Sequence, residues 1–188
     1  MALTTNFNYL QPTSFKLVLD RKNYPNLEFF CQTVTHPGMI MNATELPYQK
    51  ITGIPFPGDK LTFNELSANI ILDEDMNAYS EMYNWIRRLL DTNMRSPLNR
   101  TSTTPPHYAD ITLHMLSSAN ETTKQIRYKD CIPTALGDIQ LESTDTGGTF
   151  ITFNASFRFT YFELLNINKT TGAITESFTV TTTTGRAS

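Results

Sequence analysis

The stretch TFITFNASFRFTYFEL, 149–164, constrains the fold more than any other part of the chain. In an extended chain Ile151, Phe153, Ala155, Phe157, Phe159 and Tyr161 fall on one face, and Thr152, Asn154, Ser156, Arg158 and Thr160 on the other. A helix repeats its apolar positions every three or four residues, so this period of two excludes one. A strand with a wholly apolar face needs neighbours in a sheet and a second layer to bury that face. The polar turn STDTGG at 143–148 predicts a hairpin joining this strand to GDIQLES.

Other segments repeat the pattern. SFKLVLD at 14–20 alternates Phe15, Leu17 and Leu19 against polar neighbours, NYPN at 23–26 reads as a turn, and NLEFFCQTV at 26–34 supplies a second strand. KLTFNELSANIIL at 60–72, ADITLHMLS at 109–117 and TKQIRYKDCIP at 123–133 add further strands. Between them, 35–60 carries prolines and glycines that exclude a regular helix, and reads as a hairpin arm with PYQKITGI as one side. The polar, proline-bearing stretch 91–108 reads as a long loop, either a contact loop or a mobile one. One long helix is expected, with Met76, Tyr79, Met82, Tyr83, Ile86, Leu89 and Leu90 forming a broad apolar face. The whole is a mainly β (β+α) chain, an antiparallel β-sandwich or barrel with one long outer helix. The length suits a single domain, 1–164, followed by a threonine-rich extension, 165–188, which should pair with something, a neighbouring subunit being one candidate.

Three consecutive acids, Asp73, Glu74 and Asp75, stand where a strand hands over to the helix. A divalent cation favours clustered carboxylates, but successive acids on a helix point apart and no glycine-centred loop gathers them. Capping explains more: Asp73 or Asp75 accepts the orphan N–H groups of the first turn, and Arg87 and Arg88 complement the dipole near the other end.

Asp145-Thr146-Gly147 has the letters of an aspartic-protease site, but Glu142, Ser143 and Thr144 precede it where an apolar strand should, and a turn accounts for the same residues. His36, His107 and His114 lack any metal-ligand spacing. Cys31 and Cys131 lie inside strand patterns, which predicts buried, reduced thiols rather than a nucleophile or a disulfide. No phosphate loop or dinucleotide fingerprint occurs, and the Asn-x-Thr/Ser triplets at Asn42, Asn99 and Asn154 would accept glycans only in a secreted protein. The start MALTTNFNYLQPTSF lacks the basic and apolar regions of a signal peptide, and no apolar run is long enough to span a bilayer. The formal charge of −3 argues against a general duplex-binding surface. No cofactor and no enzymatic activity are expected.

A family resemblance rests on the order of these parts. GDKLTFNEL, then ANIILDED, then a helix containing MYNWIRRL, then KDCIPTALGDIQLES and FITFNASFRFTY resemble, in that order, the tail tube proteins of contractile-tailed bacteriophages over Phe15 to Leu164. The shared particulars are Gly58-Asp59 before a strand, the acids Asp73 to Asp75, Trp85 in the helix, Cys131-Ile132-Pro133 at a strand end, and the alternating last strand. The threonine-rich extension departs from the shortest members, so a tube-initiator, tail-terminator or baseplate component of the same fold is an alternative to the main tube subunit.

The resemblance implies a structural virion protein, assembled in the host cytoplasm into hexameric rings whose strands join across subunits. The rings stack into a conduit inside a contractile sheath, with baseplate and terminator proteins at its ends and genome DNA passing through the lumen without specific binding. Met39, Ile40, Met41, Pro47, Tyr48, Ile54 and Pro55 would then make the inter-ring arm contacts, and Asp138 and Glu142 are the lumen candidates. Arg158 is an exception on the polar face, able to pair with an acid of the next subunit. A carbohydrate-binding β-sandwich would also use many aromatic residues, but their regular placement on inward strand faces favours a core.

Overall fold

The computed structural model describes residues 9–20, 22–29, 31–48, 52–95, 107–142, 150–167 and 173–176. Its strands are β1 (Phe15–Val18), β2 (Cys31–Thr35), β3 (Met39–Met41), β4 (Thr44–Tyr48), β5 (Thr52–Phe56), β6 (Leu61–Phe63), β7 (Leu66–Ile71), β8 (Ala109–Leu116), β9 (Thr122–Leu136), β10 (Thr152–Arg158), β11 (Tyr161–Ile167) and β12 (Ile174–Glu176). The helices are α1 (Pro25–Phe29) and α2 (Asn77–Arg95).

The strands make two antiparallel sheets that share β9. Its first part pairs with β8 on one side and β11 on the other, while its last residues pair with β10. Sheet A is therefore β1-β8-β9-β11-β12, and sheet B is β9-β10-β7-β2. The changeover falls at Asp130, a non-glycine residue with φ of 54°. Directly alongside, the chain leaves β10 and enters β11, and the Thr160 N–H donates to the Lys129 carbonyl at 3.0 Å. The predicted single strand 149–164 is thus two strands in different sheets. Phe153, Ala155, Phe157 and Phe159 are buried as the alternation requires, whereas Ile151 and Tyr161, beyond the two ends of β10, are exposed. Among the described residues the sheets form a sandwich and do not close into a barrel.

One apolar core fills the space between them. Leu17, Ile111, Leu113, Ile126 and Tyr128 come from sheet A, and Leu66, Ala68, Ile70, Phe153, Ala155 and Phe157 from sheet B. Burying each large side chain stabilises the fold by about 1.5–3 kcal/mol. α2 adds Ala78, Met82 and Trp85 to the same core. Tyr79 meets Phe153 edge-on at 5.4 Å, and Trp85 packs on Phe157 at 6.0 Å. The helix therefore covers the apolar face of sheet B.

Several local expectations are corrected. Residues 26–34 are not one strand: Pro25 opens α1, and β2 starts only at Cys31. Proline at the first helical position loses no hydrogen bond. Glu81 of α2 then accepts from the Leu27 N–H at 3.3 Å and from Asn26 Nδ2 at 2.7 Å, satisfying groups a strand would have paired. Residues 60–72 divide into β6 and β7. α2 continues to Arg95, so the first part of the expected loop 91–108 is helical and Arg87 and Arg88 stand in mid-helix, away from its C-terminal end. Residues 137–142 form no strand; β10 pairs instead with β7 and with the end of β9. There the Gly137 N–H donates to the Asn154 carbonyl at 2.6 Å, and a Cβ at Gly137 would lie 2.9 Å from the Asn154 backbone. PYQKITGI is not one side of the arm but spans both of its strands. Within the supposed extension, β12 pairs with β11 of the same chain. Asp145, Thr146, Gly147 and Asn99 lie outside the described residues.

Candidate functional site

Three surfaces are candidates for work, and each follows from a strand pattern. The first is the arm. β3 pairs with β6, and β4 with β5, as successive parts of one antiparallel ribbon. The join is tight at Gly58, where an added Cβ would sit 1.6 Å from the Asn42 carbonyl oxygen. The arm's base is fixed by aromatic contacts: Phe63 packs on Phe159 and Phe162, and His36 Nδ1 lies 2.7 Å from the Tyr128 hydroxyl. Beyond the base the ribbon is apolar and uncovered. Met39, Ile40, Met41 and Ile54 are exposed, and so are Pro47 and Pro55. The Tyr48 side chain lies outside the described residues. Sequence reasoning missed Leu46, Phe56 and Leu61, which are equally open; Phe56 keeps 57% of its surface exposed. The alternation in GIPFPGDKLTF was the available signal. In register, Leu46 faces Ile54 and Thr44 faces Phe56, so these share one face; of them Thr44, Leu46 and Phe56 line a notch of about 310 Å³ with Pro57, Gly58 and Asp59.

The second surface is the outer face of sheet B, opposite the core. β2 contributes Thr33 and Thr35, β7 Ser67 and Asn69, and β10 Thr152, Asn154, Ser156 and Arg158. Asn154 Nδ2 lies 2.8 Å from Ser67 Oγ and 3.0 Å from Asn69 Oδ1, and Ser156 Oγ donates to Asn154 Oδ1 at 3.3 Å. Among the described residues the β2, β7 and β10 positions of this face are mostly hydroxyls and amides knitted together, with Ile71 opposite Thr152 the apolar exception and Arg158 the only charge. Asp138 and Glu142 are exposed but lie on the segment after β9, off this face. Glu142 accepts a hydrogen bond from Gln140 at 2.8 Å.

The third feature is a pair of free sheet edges. Among the described residues β2 pairs only with β7, and the last residues of β9 pair only with β10, because the β8 ladder stops at Ala109 opposite Cys131. Sheet B therefore carries unpaired backbone groups at both sides, a template for another chain.

At the strand-to-helix joint, Asp73 accepts the N–H groups of Asn77 at 3.0 Å and Ala78 at 3.2 Å. Slight burial works against its charge, but these hydrogen bonds hold its carboxyl below the ordinary range. Asp75 makes no hydrogen bond to the helix. Among the described residues no three potential metal ligands cluster. His114 meets Gln125, and His107 lends its carbonyl to Trp85 Nε1 at 3.0 Å. Both cysteines are free, and burial pushes each thiol up to about 12. Cys31 lines a cleft of about 590 Å³ with Lys16, Glu28 and Gln32, where Lys16 and Glu28 pair at 3.8 Å. Among the described residues no helix is long and apolar enough to cross a membrane.

A sandwich with a bare apolar arm, a largely uncharged polar face and two open edges has surfaces suited to assembly. The profile of the phage tail tube protein family matches residues 3–165, and the chain belongs to that family, one of structural tail proteins. It is 26% identical over 172 residues to the tail tube terminator protein of Enterobacteria phage T4, spanning 87% of this chain and 93% of that protein. Among solved structures, the tube-terminating cap of the anti-feeding prophage overlays with a TM-score of 0.62 at 11% identity, covering 88% of this chain and 96% of that one. A chain of the sheath–tube complex of an extracellular contractile injection system gives 0.61 at 11% identity, covering 88% and 100%. At such identities these likenesses speak for the fold.

Proposed function

We propose that this chain forms a closed ring of six copies in the tube of a contractile phage tail, and that the ring is the one that ends the tube. The observation that carries the ring is the two-sided character of sheet B. One face is apolar and covered by α2, the other is hydroxyls and amides, and both edges are free. Pairing the β2 edge of one copy with the β9 edge of the next is a head-to-tail contact, and such contacts close into rings when the rotation allows.

In that ring the polar face lines the bore and α2 lies outside, toward the sheath. Apart from one Arg158 per copy, a bore of Ser, Thr and Asn offers passing DNA few cations, which suits a conduit. Asp138 and Glu142 sit at the rim of the same wall. The arm, with Met39, Ile40, Met41, Pro47, Tyr48, Ile54 and Pro55, reaches the adjoining ring and there loses its exposed apolar surface. The end position is supported by the sequence relationship to a tube terminator along nearly the whole of both chains. Sheath, baseplate and neighbouring tail proteins are the partners of such a ring, and the virion tail is its place.

Negative-stain microscopy of the purified protein tests both parts. Six-fold rings that stay single and cap preformed tubes are expected. Long tubes of this chain alone would make it the repeating subunit instead, and a persistent monomer would overturn the ring.

A further inference from the structure

We propose that Arg158 forms a circle of guanidinium groups in the bore that grips the phosphodiester backbone of duplex DNA, so that this ring holds the genome where the rest of its wall lets it slide. The inference rests on the ring reading above. Arg158 is exposed at the end of β10, on the face that carries Thr152, Asn154 and Ser156. It is the only charged side chain at the strand positions of that face, and no acid within ion-pair distance neutralises it among the described residues.

Its nearest acid in register is Glu65, just before β7, whose carboxylate instead accepts the Thr134 hydroxyl at 3.3 Å. Thr134 in turn sits over the Ser156 carbonyl at 3.2 Å. A free guanidinium beside hydroxyl and amide donors is the chemistry that contacts phosphate oxygens without reading bases. Repeated once per copy, it places several such forks at one height, and each phosphate neutralised adds about 0.9 to the slope of log affinity against log salt. A duplex presents phosphates around its whole circumference and can meet the guanidinium groups of several copies at once, whereas an acidic peptide engages only those along one side of the bore.

The test uses full-length protein whose rings have been counted by microscopy, a short fluorescent linear duplex and anisotropy across a salt series. Wild-type rings should bind the duplex at low salt, Arg158→Lys should keep most of that binding, and Arg158→Gln should form the same rings but bind at least about tenfold more weakly with a flatter salt slope. Rings that bind duplex equally well with and without Arg158 overturn the grip while leaving the ring intact, as does an acidic peptide that competes as effectively as the duplex. Failure to form rings overturns both.

Discussion

Tyr24 lies flat against the indole of Trp85, ring centroids 4.5 Å apart and planes within 15° of parallel. The contact ties the turn before α1 to the middle of α2, and Arg88, three residues after Trp85, donates to the Tyr24 hydroxyl. Trp85 is fully buried and its Nε1 donates to the His107 carbonyl. Trp85→Ala should cost about 3–5 kcal/mol. Tyr24→Leu should cost less, about 1–2 kcal/mol, because volume is largely kept and stacking and the hydroxyl partner are lost. Urea unfolding followed by circular dichroism checks both; equal losses would mean that the stack does not couple the two helices.

The three acids before α2 should separate cleanly. Asp73→Ala removes the acceptor of two helix N–H groups and should cost about 1 kcal/mol, whereas Glu74→Gln with Asp75→Asn should stay within about 0.5 kcal/mol. The folded-state carboxyl of Asp73 is held below its unfolded value, so its contribution is present above the unfolded pKa of about 4 and fades as pH falls through the folded one. The gap between wild type and Asp73→Ala should therefore shrink on acidification below about pH 4. A gap that widened there would contradict the capping account.

Arm variants should alter assembly without altering the fold. Leu46→Ser with Phe56→Ser removes exposed apolar surface and should move stability by no more than about 0.5 kcal/mol. Removing both strands together, 43–58, should leave folded subunits that form rings but do not join other rings. Gly58→Ala acts at the joint itself, because its Cβ has no room beside Asn42. Hydrogen exchange should then rise in β4 and β5 while the core strands stay protected, and protection unchanged throughout the arm would count against that packing.

Lys129 and Asp110 pair at 2.6 Å on the outside of sheet A, and the hydrogen bond to Asp110 raises the lysine's pKa. Exposed pairs contribute little. Lys129→Met should cost less than about 1 kcal/mol and should remove whatever salt sensitivity the pair confers. Thermal melts at two salt concentrations measure it.

How much of this was legible in the sequence depended on what each pattern is sensitive to. Alternation placed Phe153, Ala155, Phe157 and Phe159 in the core, because parity along a strand is a local property. It could not show the chain changing sheets at Thr160, since parity continues through the break. The short run Leu27 to Phe29 in α1 is too brief for periodicity to tell helix from strand, and Pro25 was the residue that marked the start. Alternation also gave Asn154, Ser156 and Arg158 a shared polar face. That Thr33, Thr35, Ser67 and Asn69 extend it depends on which strands neighbour β10, a long-range fact no single stretch carries. Leu46, Phe56 and Leu61 were missed on the arm because apolar letters look the same whether the surface over them is this chain's own or another's.

β9 belongs to both sheets, and the β10–β11 crossing stands beside its bend, tied to it by the bond from Thr160 to Lys129. Two covalent straps at one level make a hinge. Along this spine, from Asp130 to Thr160, the Tyr128, Phe159 and Phe162 rings pack against one another. His36 and Phe63, which seat the arm, lie on the same spine. The arm is thus seated where the two sheets are joined by the chain itself.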